Sequence, residues 1–338
     1  MSMQKVKEIA QTVVDKAAKA KKISIFSIAN TANKNNASLL FPAVRETSST
    51  IAGNVLVASA AQAKEIVRIL DGVVDVILLD VETKVPGLKN TYMEIAGSVQ
   101  KSKLLTFKPN DITVDAVDAF LAQRVAPLYR KKVAIIGAGN IGSKIALRLV
   151  EREVNVVMTK PDADSLEKIA IGLNCIKPKH VTAEIQWTTD NVKASCDADV
   201  LIGCTAGLPV INEEMVMKMK AGGILLDVGN GTLFPGALEV ARKRDIQVFC
   251  LFMRPAYEGA VQTIFATEHL MNKMGCRSLG NFSIISGGVM GALGDVIVDD
   301  VTAPQRILAI ANGCGDVISN IDDPRFSQNI ERVKKELV

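Results

Sequence analysis

Along this chain, segments with apolar residues every three to four positions take turns with short continuous apolar runs. That is the pattern of helices packed on buried parallel strands. Residues 3–20 have helical spacing, with Val6, Ile9, Ala10, Val13 and Val14 along one side. The run KISIFSIA at 22–29 predicts a strand, 30–36 a polar loop, and 41–50 a polar stretch leading toward a helix or strand near Ile51. A short apolar run follows at 54–58, then a helix at 61–70 and a buried strand at 73–79 ending at Asp80. Residues 103–107 predict another short strand, and 114–125 a helix that carries the chain onward.

From residue 133 the alternation becomes regular, as in a doubly wound sheet. Strands are expected at 133–136, 154–158, 185–187, 200–204, 224–227 and 247–251, with helices at 141–151, 165–173, 213–220 and 235–244. After Arg254-Pro255 the pattern predicts a helix at 258–274, a glycine-rich loop at 286–291, and two helices near 305–320 and 325–337.

Where the regular part begins, a strand-length apolar run meets Gly-x-Gly-x-x-Gly at 137–142, and a helical segment follows at once. In that context Gly137 permits a tight turn, Gly139 lets backbone approach a pyrophosphate, and Gly142 lets helix and strand pack closely. The amides of Asn140 and Ile141 at the helix start would face the phosphates, whose charge the helix dipole favours. The second strand of such a fold usually ends in an acid that meets the ribose 2′-hydroxyl. Here Thr159 and Lys160 stand there, which favours NADP; Asp162 and Asp164 just beyond leave NAD open. Thr205, Ala206 and Gly207 after the fourth strand, and Val228 and Gly229 after the fifth, are small-residue strand ends suited to the nicotinamide end of the cofactor. The expected plan is α/β throughout. An N-terminal α/β substrate and catalytic domain spans 1–125 and a Rossmann NAD(P)-binding domain 126–256, while 257–338 returns to complete the first domain.

Composition narrows the class. The chain has 338 residues, 48% hydrophobic and 22% charged, with a net charge of +4, which suits a two-domain soluble protein. No basic block with interleaved aromatics points to nucleic acid. Six cysteines without C-x-x-C spacing read as thiols in a reducing compartment. No apolar signal core or membrane-length run is visible, so a cytoplasmic location is expected. Asp295, Asp299 and Asp300 lack an accompanying histidine and read as a solvated face, so no metal is expected. His180 and His269 are isolated. A homodimer is the statistical expectation.

The segments GAGNIG, ADVLIGCTAGLPVI and KAGGILLDVG resemble those of the methylenetetrahydrofolate dehydrogenase and shikimate dehydrogenase families. The resemblance implies an N-terminal catalytic domain, a Rossmann domain and C-terminal helices returning to the first domain. It also implies a catalytic Lys–Asp pair, for which Lys84 and Asp111 are the matching positions and Asp115 the alternate carboxylate. Lysine held by a carboxylate can pass a proton to the oxygen or nitrogen formed at the reacting carbon. Asp111 is equally placed to cap a helix starting near Thr113. The hydroxyl-rich substrate signature of shikimate dehydrogenases has its nearest counterpart at 47–54, including Ser49, without the family's Pro and His. The folate enzymes' Tyr-x-x-x-Lys is absent, so the substrate stays open. Arg45, Arg254 and Gln262 are further candidates for holding substrate, and 286–291 for closing over the nicotinamide. The expected activity is hydride transfer between nicotinamide and a small polar metabolite, at a C–OH/C=O or C–N/C=N bond. A cofactor-retaining lyase or cyclodeaminase, and a non-catalytic dinucleotide-binding protein, are the alternatives.

Overall fold

A computed structural model describes residues 2–31, 39–84 and 91–338; most of the loop expected at 30–36 lies outside them. Helix α1 (Ser2–Ala20) buries Val6, Ala10, Val13 and Ala17, the stripe that helical spacing requires. The chain continues through β1 (Ile23–Asn30), β2 (Arg45–Glu46), β3 (Thr50–Val57), α2 (Ala60–Leu70), β4 (Val76–Asp80), α3 (Thr91–Ala96), β5 (Lys103–Phe107) and α4 (Pro109–Arg124). The first sheet has the order β2-β3-β1-β4-β5, with only β2 antiparallel to its neighbour. Phe26, Ile28, Val55, Val57, Ile77 and Leu79 form one core with α1 and α2. β3 begins earlier than its apolar run because Gly53 and Asn54 interrupt the pattern while remaining buried. A Cβ on Gly53 would come within 2.8 Å of the Phe26 ring.

The second sheet is built from β6 (Lys132–Ile136), α5 (Asn140–Val150), β7 (Asn155–Thr159), α6 (Ala163–Ile176), β8 (Ile185–Thr188), α7 (Asn191–Ser195), β9 (Val200–Gly203), α8 (Glu213–Lys218), β10 (Ile224–Asp227), α9 (Pro235–Lys243) and β11 (Gln247–Cys250). Its order is β11-β10-β9-β6-β7-β8, parallel throughout. Counted within the sheet this is 6-5-4-1-2-3, the Rossmann order, whose crevice for a ligand opens where the order reverses, between β6 and β9. Helices cover both faces, which is why these strands read as continuous apolar runs. α4 contributes Val114, Val117 and Leu121 to this second core. It packs beside α5 with three ion pairs, Asp111–Lys144, Asp115–Arg148 and Asp118–Arg152.

The chain divides into two compact units, Met1–Glu258, which holds both parallel sheets, and Gly259–Val338. Helix α10 (Arg254–Lys273) runs from one into the other. The second unit contains β12 (Gly275–Ser278), β13 (Ser283–Ser286), β14 (Val296–Val298), β15 (Ile307–Ala311), β16 (Val317–Ile318) and α11 (Ser327–Lys334), in one sheet ordered as in sequence. The helix expected at 305–320 is therefore replaced by a β-hairpin. Asn312 accepts hydrogen bonds from the amides of Cys314 and Asp316, and Gly313 and Gly315 take positive φ. That turn chemistry breaks any helix at its middle. The expected terminal helix at 325–337 survives as the shorter α11.

Candidate functional site

The glycine loop has the geometry its spacing implies. Gly137 has φ +107°, and a Cβ there would meet the Cys204 carbonyl at 2.7 Å. A Cβ on Gly142 would lie 2.2 Å from the Gly137 oxygen, so only glycine lets α5 start this close to β6. Gly139 is exposed, and a Cβ there would meet nothing within 4 Å. It is the N-cap of α5, with no side chain capping the helix amides. Room on that side, together with uncapped amides at a helix N-terminus, fits a dinucleotide pyrophosphate.

At the end of β7 the structure separates two residues that the sequence paired. Thr159 is buried, and its carbonyl accepts from the Gly137 and Ala138 amides. Its hydroxyl is not presented to a ligand. Lys160 bonds Ser165 Oγ at 2.7 Å. Asp162 caps α6 through the Ser165 amide, and Asp164 pairs with Lys168. Both carboxylates are thus committed, while Lys160 and Ser165, the latter missed by the sequence reading, stand together at the strand end.

The two small-residue loops are packed on each other. Thr205 Oγ1 donates to the Leu208 carbonyl, and Ala206 and Gly207 both have positive φ. A Cβ on Gly229 would meet Thr232 at 2.7 Å and the Thr205 and Ala206 amides at 3.1 Å. Gly229 is small because the loops touch, not only because a ligand must pass. The Val228 and Gly229 amides donate to the Gly203 carbonyl. Asp227, which sequence reasoning passed over, holds the second loop by accepting from the Gly231 amide and the Thr232 hydroxyl. Burial, with Asp227 nearby, pushes the Cys204 thiol up to about 12.

Across from the glycine loop lies the carboxyl end of the first sheet. Its strand order reverses at β1 and β4, and there Asn30, Asp80, Glu82 and Lys84 gather. Lys84 Nζ bonds Asp80 at 2.8 Å and lies 3.4 Å from Glu82; it also donates to the Asn30 carbonyl. Asp80 Oδ2 accepts from the Asn30 amide and Oδ1 from the Glu82 amide. Burial pushes the Asp80 carboxyl above the usual carboxylate range, against the pull of Lys84 and these amides. Asn30 Oδ1 is buried without a partner. Glu82 accepts from the Asn110 amide at 2.8 Å, in the first turn of α4. Asn110 Nδ2 in turn donates to Asn140 Oδ1 at 3.1 Å. Three contacts therefore lead from Lys84 to the glycine loop.

The expected Lys84–Asp111 pair does not form. Asp111 bonds Lys108 and Lys144 instead; against the burial that would raise it, these lysines hold its carboxyl below the ordinary value. It lies in the first turn of α4, and its partner Lys144 is on α5. The alternate, Asp115, bonds Arg148. Lys84 takes its carboxylate from its own strand end.

Residues 132–231 match the family described as NADP oxidoreductase, coenzyme F420-dependent. They are an NAD(P)-binding Rossmann domain. The chain matches no curated protein. Among solved structures, it is similar to a dipicolinate synthase from Bacillus halodurans (14% identity, 75% of this chain and 82% of that one, TM-score 0.38). It is similar too to ornithine carbamoyltransferase from Gloeobacter violaceus (13%, 79% and 94%, TM-score 0.42) and L-tryptophan dehydrogenase from Nostoc punctiforme (16%, 65% and 63%, TM-score 0.39). Likeness at that level chooses no activity.

The remaining candidates are dispersed. Arg45 donates to Asn54 Oδ1 at 3.3 Å and lies over the Tyr257 ring, within the first unit. Ser49 precedes β3, its carbonyl accepting from the Ile23 amide, so it stands at the amino end of the sheet, away from Lys84. Arg254 is exposed, and its charge helps to lower the Glu46 and Glu258 carboxyls, whose largest influences are hydrogen bonds from Lys22 and Ser48 respectively. Two carboxylates of the chain, Glu46 and Glu258, thus feel its charge. Gln262 belongs to the second unit, as does the 286–291 segment, whose Ser286 is buried and donates to the Lys273 carbonyl. No group of three or more His, Cys, Asp or Glu among the described residues is placed to hold a metal ion. No helix among them is long and apolar enough to cross a membrane.

Proposed function

We propose that this chain is an NAD(P)-dependent oxidoreductase that moves hydride to or from a small polar metabolite, at a C–OH/C=O or C–N/C=N bond. The reaction would take place between the carboxyl ends of its two parallel sheets. The observation that carries this reading is the contact path from Lys84 through Glu82 and Asn110 to Asn140 of the glycine loop. It brings a largely buried lysine of the first sheet beside the loop suited to the dinucleotide. Bound NAD(P) supplies the hydride or takes it up. Lys84 holds a proton at Nζ for the substrate oxygen or nitrogen, or removes one in the reverse direction. Asp80 and the Asn30 carbonyl fix Nζ in place, so Asp80 takes the part that Asp111 was expected to play. The orphaned Asn30 Oδ1 supports a site that accepts a further donor, since a buried acceptor left unbonded is costly. The Lys160–Ser165 pair supports NADP over NAD, because an ammonium and a hydroxyl suit a 2′-phosphate.

Lys84→Met tests the reading. NADPH affinity should stay within about twofold while substrate turnover falls at least about 100-fold, the usual weight of a general acid. Turnover close to wild type in that variant would falsify the role of Lys84. Acid-denatured protein should release no stoichiometric dinucleotide after desalting; release, without net reduction of added cofactor, would favour the cofactor-retaining lyase.

A further inference from the structure

The face of the first sheet that carries Asp80 also carries Arg45, a cation that no carboxylate among the described residues pairs. Ser27 aligns with Asn54 on one side and Leu78 on the other, and Asp80 is two residues beyond Leu78. Side chains two apart share a face, so Ser27, Asn54 and Asp80 point the same way. Beside Asn54 sits Arg45, its guanidinium carbon 5.0 Å from the Tyr257 ring centroid and Nη1 3.3 Å from Asn54 Oδ1.

The neighbours of Arg45 are spent elsewhere. Tyr257 is buried, and its hydroxyl is 3.1 Å from Ser27 Oγ. Asn54 Nδ2 donates to the Ala43 and Ala52 carbonyls. Glu46, the adjacent residue, pairs with Lys22 at 2.8 Å. Among the described residues no carboxylate forms an ion pair with Arg45, although burial lowers its pKa, with Tyr257 opposing. A guanidinium has five N–H donors, and one long bond to a neutral acceptor uses one. The remaining donors stay available to a ligand, and the planar fork matches a carboxylate in two parallel bonds.

We infer that Arg45, stacked on Tyr257 and steered by Asn54, anchors a carboxylate of the substrate, which makes the substrate a small organic acid. This rests on the reading of Lys84 as the proton-transfer group. The span supports it. Asn54 and Asp80 lie two strands and two residues apart, about 12 Å between Cα atoms at ordinary strand spacing. An acid of four to six carbons, bonded at one end to Arg45 and presenting its reacting carbon to Lys84, matches that separation.

The test uses the full chain saturated with NADPH, titrated calorimetrically with C4–C6 2-oxo acids and with their primary amides. An acid should bind at least tenfold more tightly than its amide. Arg45→Met should erase that preference while NADPH affinity stays within twofold, and Arg45→Lys, which keeps the charge and loses the fork, should keep only part of it. Arg45→Lys carries the comparison if Arg45→Met does not fold. Lys84→Met should retain the acid preference, so a failure of the proton-transfer reading and a failure of the anchor show up in different variants. If NADPH does not bind, the cofactor reading falls and the same titration is run on the protein alone. Equal binding of acid and amide, no binding by any acid, or an undiminished preference in the Arg45 variants overturns the anchor.

Discussion

A Cβ on Gly142 would lie 2.2 Å from a backbone oxygen, while one on Gly139, three residues earlier, would enter open space. The two alanine variants should therefore fail in different ways. Gly142→Ala should lower stability by about 1–3 kcal/mol, the usual penalty for forcing atoms into filled space, as read from urea unfolding. Gly139→Ala should leave the unfolding midpoint nearly unchanged and weaken NADP binding at least tenfold. Equal loss of stability in both would show that the Gly139 side is not free. These glycine roles were legible in the sequence because a tight turn is a local backbone requirement. The partner of Lys84 was not. In sequence Asp80 is simply the end of β4, and only the reversal of strand order at β1 and β4 turns that end into a site. Gly229 was equally opaque, since the residue it must clear, Thr232, meets it through loop packing.

Between elements, single carboxylates tie loops to helix ends. Asp71, the C-cap residue of α2, accepts from the amides of Gln100, Lys101 and Ser102 just before β5. These bonds, the Ser102 amide foremost, hold its carboxyl below the ordinary 3.8. A depressed folded-state pKa gives stability that is present above the unfolded value and lost as pH falls through the folded one. Asp71→Asn should therefore flatten the acid limb of the stability curve below about pH 3.8 and leave its shape near neutrality unchanged. Urea midpoints at several pH values check this; an acid limb as steep as wild type counts against it. The α4–α5 ion pairs are half-exposed and worth about 0–1 kcal/mol each, so they orient the helices more than they hold them. The longer helices and the parallel strands up to Cys250 were readable because each buries a periodic face or a continuous run, whereas α3 and α7, of six and five residues, are too short to show a period. The short strands of the second unit were not, because an apolar run such as 307–311 fits helix and strand alike, and the turn at 312–315 decides.

For the whole molecule, the Rossmann unit should make stability depend on the dinucleotide. At a concentration 100 times its Kd a ligand adds about 2.7 kcal/mol, so NADP should raise the melting temperature by several degrees and more than NAD does. Lys160→Ala should abolish the difference while leaving the response to NAD intact; an NADP preference that survives would place the discriminating contact elsewhere. The sequence by itself determined the α/β class, the dinucleotide loop and its position mid-chain, because period, strand length and glycine spacing are local and each sets its own backbone. Only the tertiary structure decided that Lys84 pairs with Asp80 rather than Asp111, that α4 packs with the Rossmann helices, and that Arg45 faces the same side of the sheet as Asp80. Those facts depend on which strand ends and helix starts are brought side by side. Side-chain pairing across such distances follows from strand order and register, which no stretch of sequence contains by itself.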